Sequence, residues 1–253
     1  QQPQQNTLSP ATPLRIAAHP RLILRIGRCV LEQACAQARV WNTLRQGRPP
    51  LRISVNLSAR QFQHPGLVEE IREILRTTEL PAHLLALELT ESMIMEKVDT
   101  VITTLHELKQ LGVQIWIDDF GTGYSSLSYL KSFPVDALKI DKSFVDGLGR
   151  SAEDTAIVRA VITLAHTLGM SVIAEGIETF EQATQLRMLG CELGQGYYFA
   201  RPLPAAEVEL VIDQDDQPAA STPYPIYRED PSAYSNQVGS RMREEAAQIP
   251  AHS

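Results

Sequence analysis

Residues 113–126 have the sequence VQIWIDDFGTGYSS, and this stretch decides the fold. Its first five residues are almost entirely apolar, which predicts a buried strand. Two adjacent carboxylates, Asp118 and Asp119, follow at the carboxyl end of that strand, before a loop of Gly, Ser and Thr. Neighbouring like charges repel each other unless a cation or solvent offsets them. The pair is therefore either a solvated acidic turn or half of a metal site.

Strand-like and helix-like segments alternate on both sides of this stretch. The predicted strands are Leu51–Leu57, Leu84–Leu89, Val113–Ile117, Ala137–Ile140, Ser171–Ala174 and Gln195–Phe199. The predicted helices are Leu22–Leu44, Leu67–Thr77, Thr100–Leu111, Asp154–Leu168 and Phe180–Leu189. Glycine follows a final leucine in three of them, as expected of a left-handed helix cap, at Gly112, Gly169 and Gly190. This alternation predicts parallel strands covered by helices, in a β/α barrel or a doubly wound sheet.

The positions of the polar residues favour the barrel. Nearly all of them fall at the carboxyl ends of predicted strands, namely Asn56, Glu88, Asp118, Asp119, Lys139, Asp141, Glu175 and Gln195. A barrel builds its active site where many strand ends converge on one mouth. A doubly wound sheet would instead bring ligand groups mainly to one switch point. We therefore expect an α/β fold of the (β/α)8 TIM-barrel type.

The converging residues have the chemistry of a site for hard cations. They comprise five carboxylates, two amides and one lysine, without cysteine or histidine. Oxygen ligands select Mg²⁺ or Mn²⁺ over zinc, and five acids in one mouth call for more than one ion. A two-metal site generates hydroxide near neutral pH and clamps the oxygens of a phosphodiester. Lys139 would then stabilise the phosphate charge or orient the water.

Each of these residues also has a purely structural interpretation. Asn56 could cap a strand, Lys139 and Asp141 could form an ion pair, and Glu175 could lie in the first turn of a helix, where acids suit the dipole. Glu88 could belong to a solvated edge. The coincidence of all these residues at strand ends favours the metal site over a set of unrelated structural roles.

Composition narrows the class of protein. The chain has 253 residues, 43% of them hydrophobic and 21% charged, which is ordinary for a globular protein. Its formal net charge of −7 argues against a general binder of nucleic-acid polymers or anionic membranes. Three cysteines without metal-ligand spacing suit a reducing compartment, and no apolar run is long enough to span a membrane. We expect a cytoplasmic protein.

The two ends of the chain differ from its centre. Residues 1–20 are rich in Gln and Pro and predict a disordered lead, whereas residues 214–253 predict a disordered tail. Residues 21–213 are expected to form the barrel domain.

Several motifs together resemble the EAL domain, the family of bacterial cyclic di-GMP phosphodiesterases. The resemblance runs from about Leu22 to Pro204. It rests on Asn56-Leu57-Ser58-Ala59-Arg60-Gln61-Phe62, Glu88-Leu89-Thr90-Glu91-Ser92, the Asp118–Ser126 loop, Lys139-Ile140-Asp141, Ala174-Glu175-Gly176-Ile177-Glu178-Thr179 and Gly194-Gln195-Gly196-Tyr197.

The resemblance implies a barrel that binds cyclic di-GMP and, with two Mg²⁺ or Mn²⁺ ions, hydrolyses it to linear pGpG. Such hydrolases act in the bacterial second-messenger signalling that regulates biofilm and motility. By position, the implied metal ligands are Asn56, Glu88, Asp118, Asp119, Asp141 and Glu175. The implied catalytic residues are Glu175, Lys139 and Asp119, and the implied substrate contacts are Gln195, Ser58 and Arg60.

The resemblance also implies roles beyond the reaction. Glu91 is expected to anchor the Asp118–Ser126 loop, which in the family couples to dimerisation, so a homodimer is expected through that region. An upstream sensor or GGDEF-type domain is a further expected partner.

One part of the family pattern lies outside this match. The Glu-Ala-Leu strand itself, whose glutamate is a metal ligand, would precede the Leu22–Leu44 helix and has no counterpart in residues 1–20. We therefore expect an incomplete, N-terminally truncated barrel that lacks its first two strands and has open edges. Two functions follow: a phosphodiesterase that is weak as this chain, or a non-catalytic cyclic di-GMP receptor or interaction module.

Overall fold

The computed structural model describes residues 20–45, 47–95, 98–123 and 127–214. A six-stranded parallel sheet forms its centre, with strands β1 (Ile53–Asn56), β2 (Leu85–Thr90), β3 (Gln114–Phe120), β4 (Ala137–Ile140), β5 (Ser171–Ala174) and β6 (Leu193–Gly194). The longer helices are α1 (Pro20–Leu44), α3 (Leu67–Thr78), α5 (Val98–Leu111), α8 (Ala152–Thr167), α9 (Phe180–Leu189) and α10 (Ala205–Gln214). The short helices are α2 (Ala59–Phe62), α4 (Glu91–Met95), α6 (Leu127–Leu130) and α7 (Lys142–Asp146), and a 3₁₀ turn covers Ala82–Leu84.

The strand order confirms the predicted fold class. The strands lie side by side in chain order, from β1 to β6, without a reversal. A doubly wound sheet reverses its order at a switch point, whereas the strands of a β/α barrel follow one another around the axis. Within the described part of the chain, β1 and β6 each pair with one neighbour, as expected of an incomplete barrel.

Helix ends are set largely by the glycines that the sequence singled out. Gly112, Gly169 and Gly190 follow α5, α8 and α9 with φ of 92°, 74° and 90°. Glycine adopts this left-handed conformation without the steric cost that a Cβ atom brings. At the other end of α9, Thr179 and Gln182 form a capping box that satisfies free backbone N–H groups. Helices α5, α8 and α9 can therefore end abruptly, and the chain turns back to the sheet after each of them.

The core lies on both faces of the sheet. All of β4 is buried, and β2 is buried at every position except its last. A parallel strand covered by helices on one face and by barrel interior on the other is expected to be buried in this way. Within β4, the buried residue Lys139 is the exception to an otherwise apolar strand, and it marks the interior as the site of polar chemistry.

The last predicted strand is wrong. Residues 195–199 contain no strand and end in a turn at 197–199, and β6 is the preceding pair Leu193–Gly194. The chain after β6 folds back over Ile177: Ile177 N donates to Gln195 O, and Tyr198 N donates to Ile177 O. Aromatic residues at 197–199 favoured a strand locally, but these hydrogen bonds to the loop after β5 fix a turn instead.

Other boundaries moved by a few residues. The strand predicted at Val113–Ile117 extends to Phe120, so the two adjacent aspartates lie inside β3 rather than after it. The short helices α2, α4, α6 and α7 were not predicted, because four or five residues carry too little periodicity to distinguish a helix from a loop. The ten-residue helix α10 was not predicted either.

Several expectations concern residues outside the described ranges. The predicted disordered lead and tail fall almost wholly there, as do residues 124–126 of the loop after β3. A compact unit that ends at Glu209 holds the whole sheet, and of the unit from Leu210 onward only the end of α10 is described. Among the described helices, none has the length and apolar character required to cross a membrane.

Candidate active site

A buried lysine lies at the centre of the mouth formed by the carboxyl ends of the strands. The Lys139 side chain is 2% exposed, and its Nζ lies 2.6 Å from Glu88 Oε2, 2.9 Å from Asp118 Oδ1 and 2.5 Å from Glu175 Oε1. We call these three acids the carboxylate triad. Lys139 therefore pairs with two acids from other strands and with a third that directly follows β5. The ion pair between Lys139 and Asp141, which was the structural alternative, is therefore not formed.

The register of the sheet brings these side chains together. Glu88 lies in β2, Asp118 in β3 and Lys139 in β4, while Glu175 directly follows β5. Thr90 pairs with Asp118, and Ile140 pairs with Ala174, so the four polar residues lie near the same end of four adjacent strands. Because side chains alternate along a strand, only this register turns all four into the barrel interior.

The triad and the lysine change each other's proton affinity. Burial alone would lower the pKa of Lys139, but hydrogen bonds to Glu175 and Glu88 raise it well above its ordinary value. Burial raises the pKa of Glu175, and neighbouring Asp118 and Glu88 add to that effect, while Lys139 opposes it. The raised pKa of Glu175 means that desolvation and like charges outweigh its ion pair.

One oxygen of the triad makes no hydrogen bond. Asp118 Oδ1 is buried and lies 2.9 Å from Lys139 Nζ, in an ion pair that does not meet the geometry of a hydrogen bond. A buried carboxylate oxygen that lacks a hydrogen bond keeps lone pairs that a metal ion can use. This oxygen therefore suits the role of a metal ligand, although the ammonium group of Lys139 already offsets its charge.

The carboxylate triad also has the spacing of a cation site. One carboxylate oxygen from each of Glu88, Asp118 and Glu175 lies within 4.8 Å of the other two. Oxygen atoms at this separation can contact one cation together, and an all-carboxylate set suits Mg²⁺ or Mn²⁺. The residues present therefore fit a hard divalent cation.

Asp119 has an unusual backbone beside the triad. Its φ is 53°, in the left-handed region, and the pairing of β3 with β4 shifts register between Ile117 and Phe120. Thr122 donates to the Asp119 carbonyl from both its backbone N–H and its hydroxyl. Burial, together with the charges of Asp118 and Asp141, raises the pKa of Asp119. A left-handed aspartate in an irregular strand places a second carboxylate next to the first.

Asp141 and Asn56 lie near the triad with different partners. Asp141 caps α7, where its Oδ1 accepts a hydrogen bond of 2.9 Å from Ser143 N. Asn56 is the last residue of β1 and pairs in register with Glu88. Asn56 ends β1 and Asp141 directly follows β4, so both lie at the carboxyl ends of strands, as the sequence predicted.

The three expected substrate contacts differ in their surroundings. Ser58 closes a capping box with Gln61 at the start of α2, so its hydroxyl already has a structural partner. Arg60 and Gln195 have exposed side chains. The backbone of Gln195 bonds to Ala174 O and Ile177 N, which holds the residue at the rim of the mouth.

A pair at the rim was not singled out from the sequence. Lys142 and Glu178 form an exposed ion pair of 2.5 Å, and Arg201 lies 4.9 Å from the ring centre of exposed Tyr197. Their position could have identified them from the sequence, because Lys142 and Glu178 lie within four residues of the ends of β4 and β5.

Glu175 itself precedes α9 and is not in the first turn of a helix, which was its structural interpretation.

Glu91 connects α4 to the loop after β3. Its side chain is buried, and its Oε2 accepts a hydrogen bond of 3.0 Å from Gly121 N. A Cβ atom on Gly123 would lie 2.8 Å from Glu91 Oε1, so this part of the loop packs closely on the carboxylate. The contact spans 30 residues of sequence and ties the loop to the end of β2.

A Glu91→Ala variant should therefore loosen the loop after β3. It leaves the Gly121 N–H without this acceptor, at a cost of about 1–3 kcal/mol in the free energy of unfolding. Amide hydrogen exchange at Gly121 should accelerate, whereas exchange in α8 should change less. Glu91→Gln is the matched control, because its carbonyl oxygen can still accept the bond. Unchanged exchange at Gly121 in Glu91→Ala would show that the contact does not hold the loop.

Comparisons with known proteins show which family the sequence resembles. The sequence matches the model of the EAL domain over residues 1–202, a match that begins ahead of Leu22. MucR of Pseudomonas aeruginosa, a bifunctional diguanylate cyclase/cyclic di-GMP phosphodiesterase, is 45% identical over 207 residues, covering 81% of this chain and 30% of MucR. The chain spans only about a quarter to a third of the length of the curated relatives it matches.

Two solved structures have folds similar to that of this chain. The MucR phosphodiesterase in complex with cyclic di-GMP has a TM-score of 0.75 at 44% identity, covering 82% of this chain and 83% of that one. A manganese and cyclic di-GMP complex of Klebsiella pneumoniae BlrP1 has a TM-score of 0.63 at 32% identity, covering 71% and 45%. The fold and the site define an α/β barrel-type domain with an acidic mouth. The chain belongs to the EAL domain family.

Proposed function

We propose that this domain hydrolyses cyclic di-GMP to linear pGpG with two Mg²⁺ or Mn²⁺ ions. The observation that carries the proposal is the carboxylate triad around the buried Lys139, whose oxygens lie close enough together to hold one cation at the mouth. Relatives whose names include cyclic di-GMP phosphodiesterase support the choice of substrate.

The proposed metal ligands extend from the triad to its neighbours. Glu88, Asp118 and Glu175 would hold one ion, and Asn56, Asp119 and Asp141 would complete the coordination of the pair. Bound there, divalent ions would supply hydroxide near neutral pH and offset the charge of the phosphate. Experiment decides whether the site prefers Mg²⁺ or Mn²⁺.

The side chains of the chain itself would act beside the ions. Glu175 is the proposed proton acceptor, as the family resemblance implies for this position. Lys139 would orient the water or the scissile phosphate. Asp119, which lies next to Asp118 in β3, is the third proposed catalytic residue. Gln195, Arg60 and Ser58 are the proposed contacts to the nucleotide, and Glu91 is proposed to anchor the loop.

A second candidate function is a receptor that binds cyclic di-GMP without cleaving it. The observation that favours it is Lys139 itself, which gives the carboxylate triad a counter-ion without any metal. A mouth that is stable in that form could hold the nucleotide with no turnover.

The deciding experiment measures pGpG release from cyclic di-GMP by chromatography. We expect release that requires Mn²⁺ or Mg²⁺ and stops on chelation. Calorimetry on the same protein measures nucleotide binding. Binding without any metal-dependent release would support the receptor and contradict the enzyme.

Partners and location remain proposals as well. We propose an upstream sensor or GGDEF-type domain, since the curated relatives are several times longer than this chain. A homodimer through the loop region and a cytoplasmic location are proposed from the family resemblance and the cysteine content.

A further inference from the structure

We infer that Lys139 competes with the first divalent cation for the carboxylate triad, so that metal binding must displace its ammonium group. The inference rests on the proposed metal site and concerns the order of events there. Lys139 would be a positioning residue in the metal-free protein, where it holds the three ligands in place, and would be free to act on substrate only after a metal ion replaces it.

The first step of the argument is position. Lys139 Nζ contacts one oxygen from each member of the triad, at 2.6, 2.9 and 2.5 Å. These acids also supply the oxygens that lie within 4.8 Å of one another. A cation bound to all three must sit between them, which is where Nζ lies. The ammonium group and the ion therefore exclude each other from one position.

The second step is charge. Three carboxylates and one ammonium group leave a formal charge of −2 in a mouth where Lys139 and Glu88 are almost fully buried. Without the lysine, three carboxylates with oxygens within 4.8 Å of one another would repel strongly. A divalent ion would neutralise the set if Lys139 stayed in the mouth, so we expect the side chain to shift within it rather than leave.

The third step is the spare bonding capacity of the ligands. Asp118 Oδ1 has the ion pair with Lys139 but no hydrogen bond, so the ammonium group satisfies the triad incompletely. A cation that draws on all three oxygens would satisfy it better. The lysine is thus a replaceable counter-ion rather than a permanent partner.

Mn²⁺ affinity without nucleotide tests the inference. In Lys139→Met, which keeps length and removes charge, we expect Mn²⁺ to bind at least about 10-fold more tightly by calorimetry. Lys142→Met is the matched control, because Lys142 lies at the rim and pairs with Glu178 instead. Its Mn²⁺ affinity should equal that of the unmodified chain. A lysine with a merely structural role would not increase affinity when it is removed.

A second measurement does not depend on folding of the Lys139→Met variant. In the unmodified chain with ¹³C-labelled lysine, saturating Mg²⁺ should shift the Lys139 side-chain signal, which Lys139→Arg identifies by its loss. Ion binding with an unmoved Lys139 signal, or with unchanged affinity in Lys139→Met, would overturn the inference alone. Failure of the unmodified chain to bind either ion would overturn metal-dependent hydrolysis as well.

Discussion

An Asp118→Asn variant should release pGpG about 100-fold more slowly than the unmodified chain, or slower still. Asparagine keeps the shape of the side chain but removes the charge of an oxygen that is buried and has no hydrogen bond. A neutral amide is a weaker ligand than a carboxylate for a hard divalent cation. Steady-state release under saturating Mn²⁺ measures the effect.

The matched control for this variant is Asp136→Asn. Asp136 is also an acid paired with a lysine, since its oxygens lie 2.7 and 2.8 Å from Lys109 Nζ, and it accepts a bond from Ile115 N. It precedes β4 and so lies at the opposite end of the strands from the mouth. Asp136→Asn should cost stability, yet leave the turnover of the folded protein unchanged. Equal turnover in Asp118→Asn and the unmodified chain would contradict the assigned role.

A Gly196→Ala variant should lose about 3 kcal/mol of unfolding free energy. A Cβ atom at this position would overlap the backbone N and O atoms of Ile177. Those atoms are fixed by hydrogen bonds to Gln195 and Tyr198, so the clash cannot be relieved by rotating a side chain. The turn that carries Gln195 would have to move. Urea unfolding of both proteins measures the loss.

Gly169→Ala serves as the comparison for this substitution. Gly169 has a φ of 74°, but a Cβ atom there would meet nothing within 4 Å. The variant should therefore lose only the cost of a left-handed alanine, about 1 kcal/mol. If both substitutions cost the same, the close approach of residue 196 to Ile177 would not be a determinant of stability.

Much of the fold could be predicted from the sequence because its signals are local. Ala137–Ile140 and Ser171–Ala174 are strands as predicted, and Phe180–Leu189 is a helix with a glycine cap. Apolar runs, helical periodicity and Leu-Gly endings each act over a few residues. The turn at 195–199 could not be predicted in this way, because its hydrogen bonds go to Ile177, a residue in another loop.

The candidate site could likewise be predicted only in part from the sequence. Its membership could be predicted, because polar residues at strand ends are visible in the sequence. The partners of Lys139 could not, since Glu88 is 51 residues away and reaches it only through the register of three strands. The left-handed conformation of Asp119 was equally hidden, because it follows from an irregularity in the pairing of β3 with β4.

The members of the carboxylate triad come from separate strands, and ion binding is therefore coupled to the folding equilibrium. Glu88, Asp118 and Glu175 come from β2, β3 and the end of β5, so an unfolded chain has no such arrangement to offer an ion. A ligand that binds only the native state adds its binding free energy to stability, about 2.7 kcal/mol at 100 times its dissociation constant. The domain would then unfold less readily as the ion concentration around it rises, whether or not any nucleotide is being hydrolysed.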